Sequence, residues 1–340
     1  MRAPPDGRLI QSEGAPGVFA MSEKMKLLIA YDGSECAVAA LDDLHRAGLP
    51  QEAEALVVSV AERWLPPPPP SAYEVVAEAM VAHTAAALQR EYVKDSSPVL
   101  EAQSLAEEAR ARLRTNFPGW VVRAEAFYGS PAREVLRVAD EWGPHLVVVG
   151  SHGRTALGRF VLGSVSQKIL NEARSSVRVA RGRVEVEPRS ARLIIGVDGS
   201  PGADAAVRAV AARHWPKGGE ARVVIVNDPL EFDIVERLVP SMRKAVEEEN
   251  RAEDEWVQET VERAALQLSA AGLVTSSVIT PGDPRRVLVR EAERWGADCI
   301  FVGSHRFGNR VERLLLGSVA AAVAARAHCS VEITRAPEAA

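Results

Sequence analysis

The feature that most constrains this chain is a repeat of domain length. Lys26 to Asp32 is an apolar run of strand length, and Gly33-Ser34 turns it into a helical pattern carrying Ala37, Val38 and Leu41. The same text returns as Arg192 to Asp198, Gly199-Ser200, then Ala205, Ala206 and Val207. A period this long exceeds that of any solenoid unit, so a whole domain has been duplicated. The chain of 340 residues has room for two such domains, each with its own core.

The later strands match between copies as well. Second strands read as Ala55 to Val60 and Ala221 to Val226, fourth strands as Leu146 to Val149 and Cys299 to Val302, and fifth strands as Val177 to Val179 and Val331 to Ile333. Trp120 through Leu136 corresponds to Leu273 through Leu288, with Gly282-Asp283-Pro284 in place of Gly129-Ser130-Pro131. Ser130 and Asp283 suit helix N-caps, and the following Pro suits the first helical position. Long helical patterns cover Tyr73 to Tyr92, Leu100 to Arg114 and Val246 to Leu268, with Asp95 to Pro98 breaking the first two. Pro66 to Pro70, without flanking basic residues, reads as a stiff crossover rather than a ligand for a proline-recognising domain. Trp215 and Trp256 read as core or domain-edge packing.

Strands that are apolar on both faces and alternate with helices imply an α/β fold in which each copy is a five-stranded, parallel, doubly wound sheet. The expected organisation is an extension over 1–24, domains over 25–181 and 191–335, a linker over 182–190 and a tail over 336–340. Residues 1–24, rich in Pro, Gly and Ala, read as disordered. Ligands of such sheets sit beyond the carboxyl ends of the strands, where Asp32 and Gly150 both fall.

Residues 150–166 hold the most chemistry. Leu146 to Val149 ends in Gly150, and from Gly163-Ser164 the spacing changes to that of an amphipathic helix carrying Val165, Ile169 and Leu170. Strand, glycine loop and helix start form one piece, with free N–H groups and the positive helix end directed at whatever the loop encloses. That suits a phosphate chain, while a plain strand-to-helix turn would account for the glycines alone. No Gly-Lys-Ser/Thr follows, so this is not a Walker loop, and its place after a late strand sets it apart from the first-turn dinucleotide fingerprint.

The spacing Gly150, two residues, Gly153, nine residues, Gly163-Ser164 resembles the ATP-binding signature of the universal stress protein family. With the strands placed, the chain resembles a tandem form of that family over 25–181 and 191–335, Rossmann-like in each half. The resemblance implies Ala30, Tyr31 and Asp32 beside adenosine and Val60 offering peptide groups to adenine. It implies Val149, Gly150 and Gly153 at the ribose and first phosphates, and Gly163, Ser164 and Val165 at the outer phosphates. Asp32 is an acceptor for a ribose hydroxyl or adenine amine and also suits the Gly33-Ser34 turn; Ser164 is a donor to an anion. Mg²⁺ would be held through the phosphates. Arg154 and Arg159 are candidates for neutralising phosphate, and His152 is a candidate phosphate contact that reads more simply as a solvent-exposed loop residue.

The second copy departs from the signature. Arg306 stands where the second glycine belongs, and Gly317-Ser318 comes one residue late. Weaker or absent binding is expected there, with Asp198, Val226, Gly303, Gly317 and Ser318 as a secondary site, and Gly308 as a substitute in a shifted loop. Family domains resemble one another in pairing through the fifth strand, and here those strands carry Arg178 and Glu332 at equivalent positions. About a pseudo-two-fold the opposite charges would meet, favouring pairing of unlike copies.

A net charge of −5 and a pI near 5.9 leave no basic surplus for a nucleic-acid partner. Cys36, Cys299 and Cys329 lack disulfide or zinc spacing, and no apolar run approaches a membrane span, so a cytoplasmic protein is expected. No general base or second carboxylate is assignable beside the loop. The expected function is an ATP-binding stress or signalling protein with the nucleotide as conformational ligand. The alternatives are a slow ATPase or self-phosphorylating protein, and a nucleotide-free dimerisation scaffold.

Overall fold

The structure, a computed structural model, describes residues 24–62, 97–152, 162–181, 190–227, 243–304 and 316–335. Outside these fall Pro66 to Pro70, the helical pattern Tyr73 to Tyr92, Gly153, Arg154, Arg159, Arg306, Gly308, the tail, and nearly all of the extension and linker.

The first half runs β1 (Met25–Ala30), α1 (Glu35–Asp43), β2 (Ala53–Glu62), α2 (Ser97–Asn116), β3 (Val121–Gly129), α3 (Pro131–Trp142), β4 (Leu146–Gly150), α4 (Ser164–Glu172) and β5 (Ser176–Ala180). The second runs β6 (Arg192–Val197), α5 (Pro201–Ala211), β7 (Glu220–Val226), α6 (Arg243–Ala270), β8 (Val274–Thr280), α7 (Pro284–Trp295), β9 (Cys299–Gly303), α8 (Ser318–Arg326) and β10 (Ser330–Thr334). The first helix of each half starts alike: Ser34 Oγ accepts from Ala37 N at 3.1 Å and Ser200 Oγ from Ala203 N at 3.2 Å. Asp283 caps α7 by accepting from Arg285 N, whereas Ser130 occupies the same place before α3 without a side-chain bond. The helix after the expected break begins early, at Ser97, with Pro98 in the first turn where its missing N–H costs nothing.

Each half contributes the five parallel strands expected, and the structure joins them into one ten-stranded sheet ordered β3-β2-β1-β4-β5-β10-β9-β6-β7-β8. Every neighbouring pair is parallel except β5 with β10, which is antiparallel and pairs Glu332 with Arg178. The order reads the same outward from this seam in both directions, as a pseudo-two-fold requires.

One face of the sheet carries a single apolar core crossing the seam, from Leu28, Val147 and Val177 to Ile194, Ile300 and Val331. The opposite face carries two main cores, one per half, with a small further cluster of Ala61, Val99 and Ala102 in the first half. Between the two main cores lies a buried ionic cluster. Arg178, 0% exposed, donates from Nε to Asp43 Oδ2 at 2.6 Å and from Nη1 to Glu332 Oε2 at 3.2 Å. Arg213 of the second half donates to the other Glu332 oxygen, and Ser330 Oγ donates to Asp43 Oδ1 at 2.8 Å. Two cations and two carboxylates, each partnered, make desolvation tolerable; a like pair of arginines or glutamates would not. Beside them Trp215 packs its indole over Gly48, whose φ of 63° and lack of Cβ admit it, so Trp215 is a domain-edge residue as expected.

Candidate nucleotide site

β1 stops at Ala30, and its register with β2 ends at Val58, but β2 continues to Glu62 paired on the β3 side alone. The β1-facing edge around Val60 thus borders open space with peptide groups to offer. Next to it β4 ends at Gly150, where a Cβ would lie 3.0 Å from the Cys36 carbonyl carbon on α1, so a glycine there lets strand and helix approach.

The loop leaving β4 returns to its own start. Gly163 N donates to Ser151 O at 2.8 Å, and Ser166 Oγ donates to Gly150 O at 2.6 Å. Gly163, extended at φ −63° and ψ 150°, is the N-cap of α4. The first turn of that helix therefore stands beside the strand end, with amides that have no acceptor within the helix.

Together these elements enclose a cavity of about 430 Å³. Ala30, Tyr31, Asp32, Val60, Val149, Gly150, Gly163, Ser164 and Val165 all line it, so every sequence-predicted residue of the first site that is described converges there. Gly153 lies outside the described residues. Tyr31 is 4% exposed, its ring belonging to the core under α1 and α2. Asp32 Oδ1 accepts from Ser34 N at 3.0 Å, the turn role anticipated for it, while the residue still faces the cavity.

His152 overturns its reading as a solvent-exposed loop residue. It is 9% exposed on the cavity wall, with Nδ1 3.0 Å from Ser151 Oγ and Nε2 buried without a hydrogen-bond partner. Burial, then the positive Arg181 nearby, hold its pKa below the ordinary 6.5, favouring neutral imidazole. Sequence reading also missed the walls formed by Glu101, Ala102 and Leu105 of α2 and by Pro131 and Val135 of α3. Those helices are remote in sequence, and their small or apolar residues carry no chemical signature; the matched Gly-x-Pro exits from the third strands were the one available hint.

The profile of the Universal stress protein family matches residues 24–181 and again residues 190–335. The chain belongs to the universal stress protein family. It is similar to universal stress protein Rv2005c of Mycobacterium tuberculosis, 31% identical over 217 residues, covering 63% of this chain and 69% of the relative. It is also similar to Rv1996 of that organism, 25% identical over 340 residues and covering 94% and 98% of the two chains. A solved universal stress protein from Archaeoglobus fulgidus superposes with a TM-score of 0.56 at 18% identity, covering 93% of this chain and 98% of that one, a likeness of fold.

The second universal stress protein domain repeats the backbone plan. Asp198 Oδ1 accepts from Ser200 N at 3.0 Å, Val226 closes β7, Gly303 closes β9, and Gly317 is the extended N-cap of α8, which Ser318 begins. Its packing differs. A Cβ on Gly303 would collide with the Gly202 backbone of α5, and the Trp256 ring of α6 lies on Gly199, its Cη2 3.1 Å from where a Cβ would be. Among the described residues no group of three or more His, Cys, Asp or Glu side chains is placed to hold a metal.

Proposed function

We propose that this universal stress protein binds an adenine nucleotide, ATP with Mg²⁺, in the cavity of its first domain. The nucleotide serves as a conformational ligand in a cytoplasmic stress or signalling role. The observation that carries the reading is the convergence of three strand ends and the first turn of α4 on one cavity of nucleotide size. The α4 amides and Ser164 Oγ suit phosphate, Asp32 suits a ribose hydroxyl or adenine amine, and the β2 edge at Val60 suits adenine. Mg²⁺ is carried by the phosphates.

The second domain, packed by Trp256 and the Gly202–Gly303 approach, is proposed as a partner rather than a second strong site. Calorimetric titration of nucleotide-stripped protein with Mg-ATP, repeated with AMP and cyclic AMP, tests this. About one ATP per chain is the expected stoichiometry. About two would return Asp198, Val226, Gly303, Gly317 and Ser318 to the site, and no uptake of any of the three would leave the scaffold reading.

One observation favours slow hydrolysis as a second reading. The neutral His152 with its unpartnered Nε2 is a base of the kind sequence reasoning did not find. Phosphate release that vanishes in His152→Ala while nucleotide uptake persists would support it.

A further inference from the structure

The residue following the fifth strand of each half is an arginine, and each reaches across the seam. Arg181, after β5, donates from Nη2 to Ala324 O at 2.7 Å, while its own N–H donates to Ser330 Oγ at 2.9 Å. Arg335, after β10, donates from Nη2 to Leu170 O at 2.6 Å, and its N–H to Ser176 Oγ at 3.1 Å. The two acceptors are equivalent. In α4 the last carbonyl taken up by the helix and its cap is that of Ile169, bonded to Ala173 N, so Leu170 O is the first left over. In α8 the cap bond is Ala327 N to Val323 O, and Ala324 O is the first left over. Each half thus satisfies the exposed carbonyl end of the other half's glycine-loop helix with a charged donor, where both hydrogen bonding and the helix dipole favour it.

We infer that Arg335, from the second domain, is a positioning residue for the nucleotide site of the first. The inference rests on the nucleotide reading above. α4 is a nine-residue helix. Its first turn faces the cavity and its last turn is held by Arg335, so displacement at one end is felt at the other through a rigid rod. The first site is therefore completed across the seam. The second domain acts on nucleotide affinity without binding nucleotide, and occupancy of the first site is registered at the β10 end of the second.

The test compares Arg335→Met, Arg335→Lys and Arg174→Met in the full chain. Arg174 is a cation at the same helix end whose side chain is 73% exposed and points to Asp140, so its loss removes charge without removing the clamp. Mg-ATP affinity is read by titration, and amide exchange of residues 164–173 is read without nucleotide. Arg335→Met is expected to weaken Mg-ATP binding about five- to tenfold, as loss of a charged hydrogen bond would. It is also expected to speed exchange in α4 but not in α3. Arg335→Lys should recover part of both, and Arg174→Met should match the parent. Full affinity in Arg335→Met, with the parent binding normally, overturns the inference and leaves the nucleotide reading intact. If the parent takes up no nucleotide, the nucleotide reading fails; unchanged α4 exchange in Arg335→Met then overturns the clamp as well, and faster exchange upholds it.

Discussion

The two halves share a backbone plan and diverge at the carboxyl ends of their strands. In the first, β2 runs beyond its last β1-paired residue, Val58, to Glu62 and forms a lip over the cavity; in the second, β7 stops at Val226, directly after Ile225. In the first, Cys36 stands opposite Gly150; in the second, Gly202 takes the matching place, and the strand end closes directly on the helix backbone. The buried stripes of α2 (Ala102, Ala106, Ala109, Leu113) and α6 (Val257, Val261, Ala264, Leu268) align so that Trp256 falls where Glu101 lines the first cavity. Duplication kept what folding needs, the strands, caps and register. What a ligand needs, room beyond the strands, is seen in the first copy, while among the described residues of the second the Gly202 backbone and the Trp256 ring stand close to the matching strand ends.

The largest effect is expected where the halves differ in sign. Arg178→Met leaves Asp43 and Glu332 buried beside one cation fewer and is expected to cost about 3–5 kcal/mol in urea unfolding. A loss near 1 kcal/mol would mean that the seam is wetter than its 0% exposure states. Next come the two strand-end glycines. Gly303→Ala meets the Gly202 backbone and is expected to cost about 3 kcal/mol, whereas Gly150→Ala, facing Cys36 at 3.0 Å, costs about 1 kcal/mol but weakens Mg-ATP binding. Equal losses from the pair would erase the claimed difference in packing. Trp256→Ala, half exposed, is expected to cost about 1 kcal/mol and to leave stoichiometry at one ATP, because the Gly202–Gly303 closure remains. A second ATP in that variant would show that the ring alone blocks the site.

The fold was legible because its determinants are local and doubled. Asp-Gly-Ser turns, apolar strand runs and Gly-x-Pro exits occur twice, and each copy checks the other. The seam through the fifth strands was implied by the family resemblance, and the opposite charges of Arg178 and Glu332 pointed to pairing of unlike copies. Asp43 and Arg213, which complete the cluster, arrive from helix ends that no periodicity links to the fifth strands. The strand ends and glycines that line the first cavity were implied by the family resemblance, and the glycines alone carry a compositional mark of close backbone approach. The α2 and α3 walls and the burial of His152 leave none, because they arise from how far a helix leans over the sheet. Trp256 is half exposed and lies on Gly199, a placement that only the three-dimensional structure shows.

The smallest expected effect concerns His152 on the cavity wall of the first half and is read by pH. Its pKa is lowered, chiefly by burial and next by Arg181, so the folded protein resists a proton that the unfolded chain accepts near the ordinary 6.5. The unfolded state therefore binds more protons below that value. This contribution to stability is fully present above pH 6.5 and is lost as pH falls through 6.5 toward the folded value. In His152→Gln the unfolding free energy should fall less steeply between pH 7 and pH 5 than in the parent, the carboxylate background being common to both. A phosphate brought beside Nε2 favours the imidazolium, so saturating Mg-ATP should flatten the parent's slope toward that of the variant. A slope unchanged by nucleotide, in a parent that binds it, would place the phosphates away from His152 and shift the anion end of the site wholly to the first turn of α4.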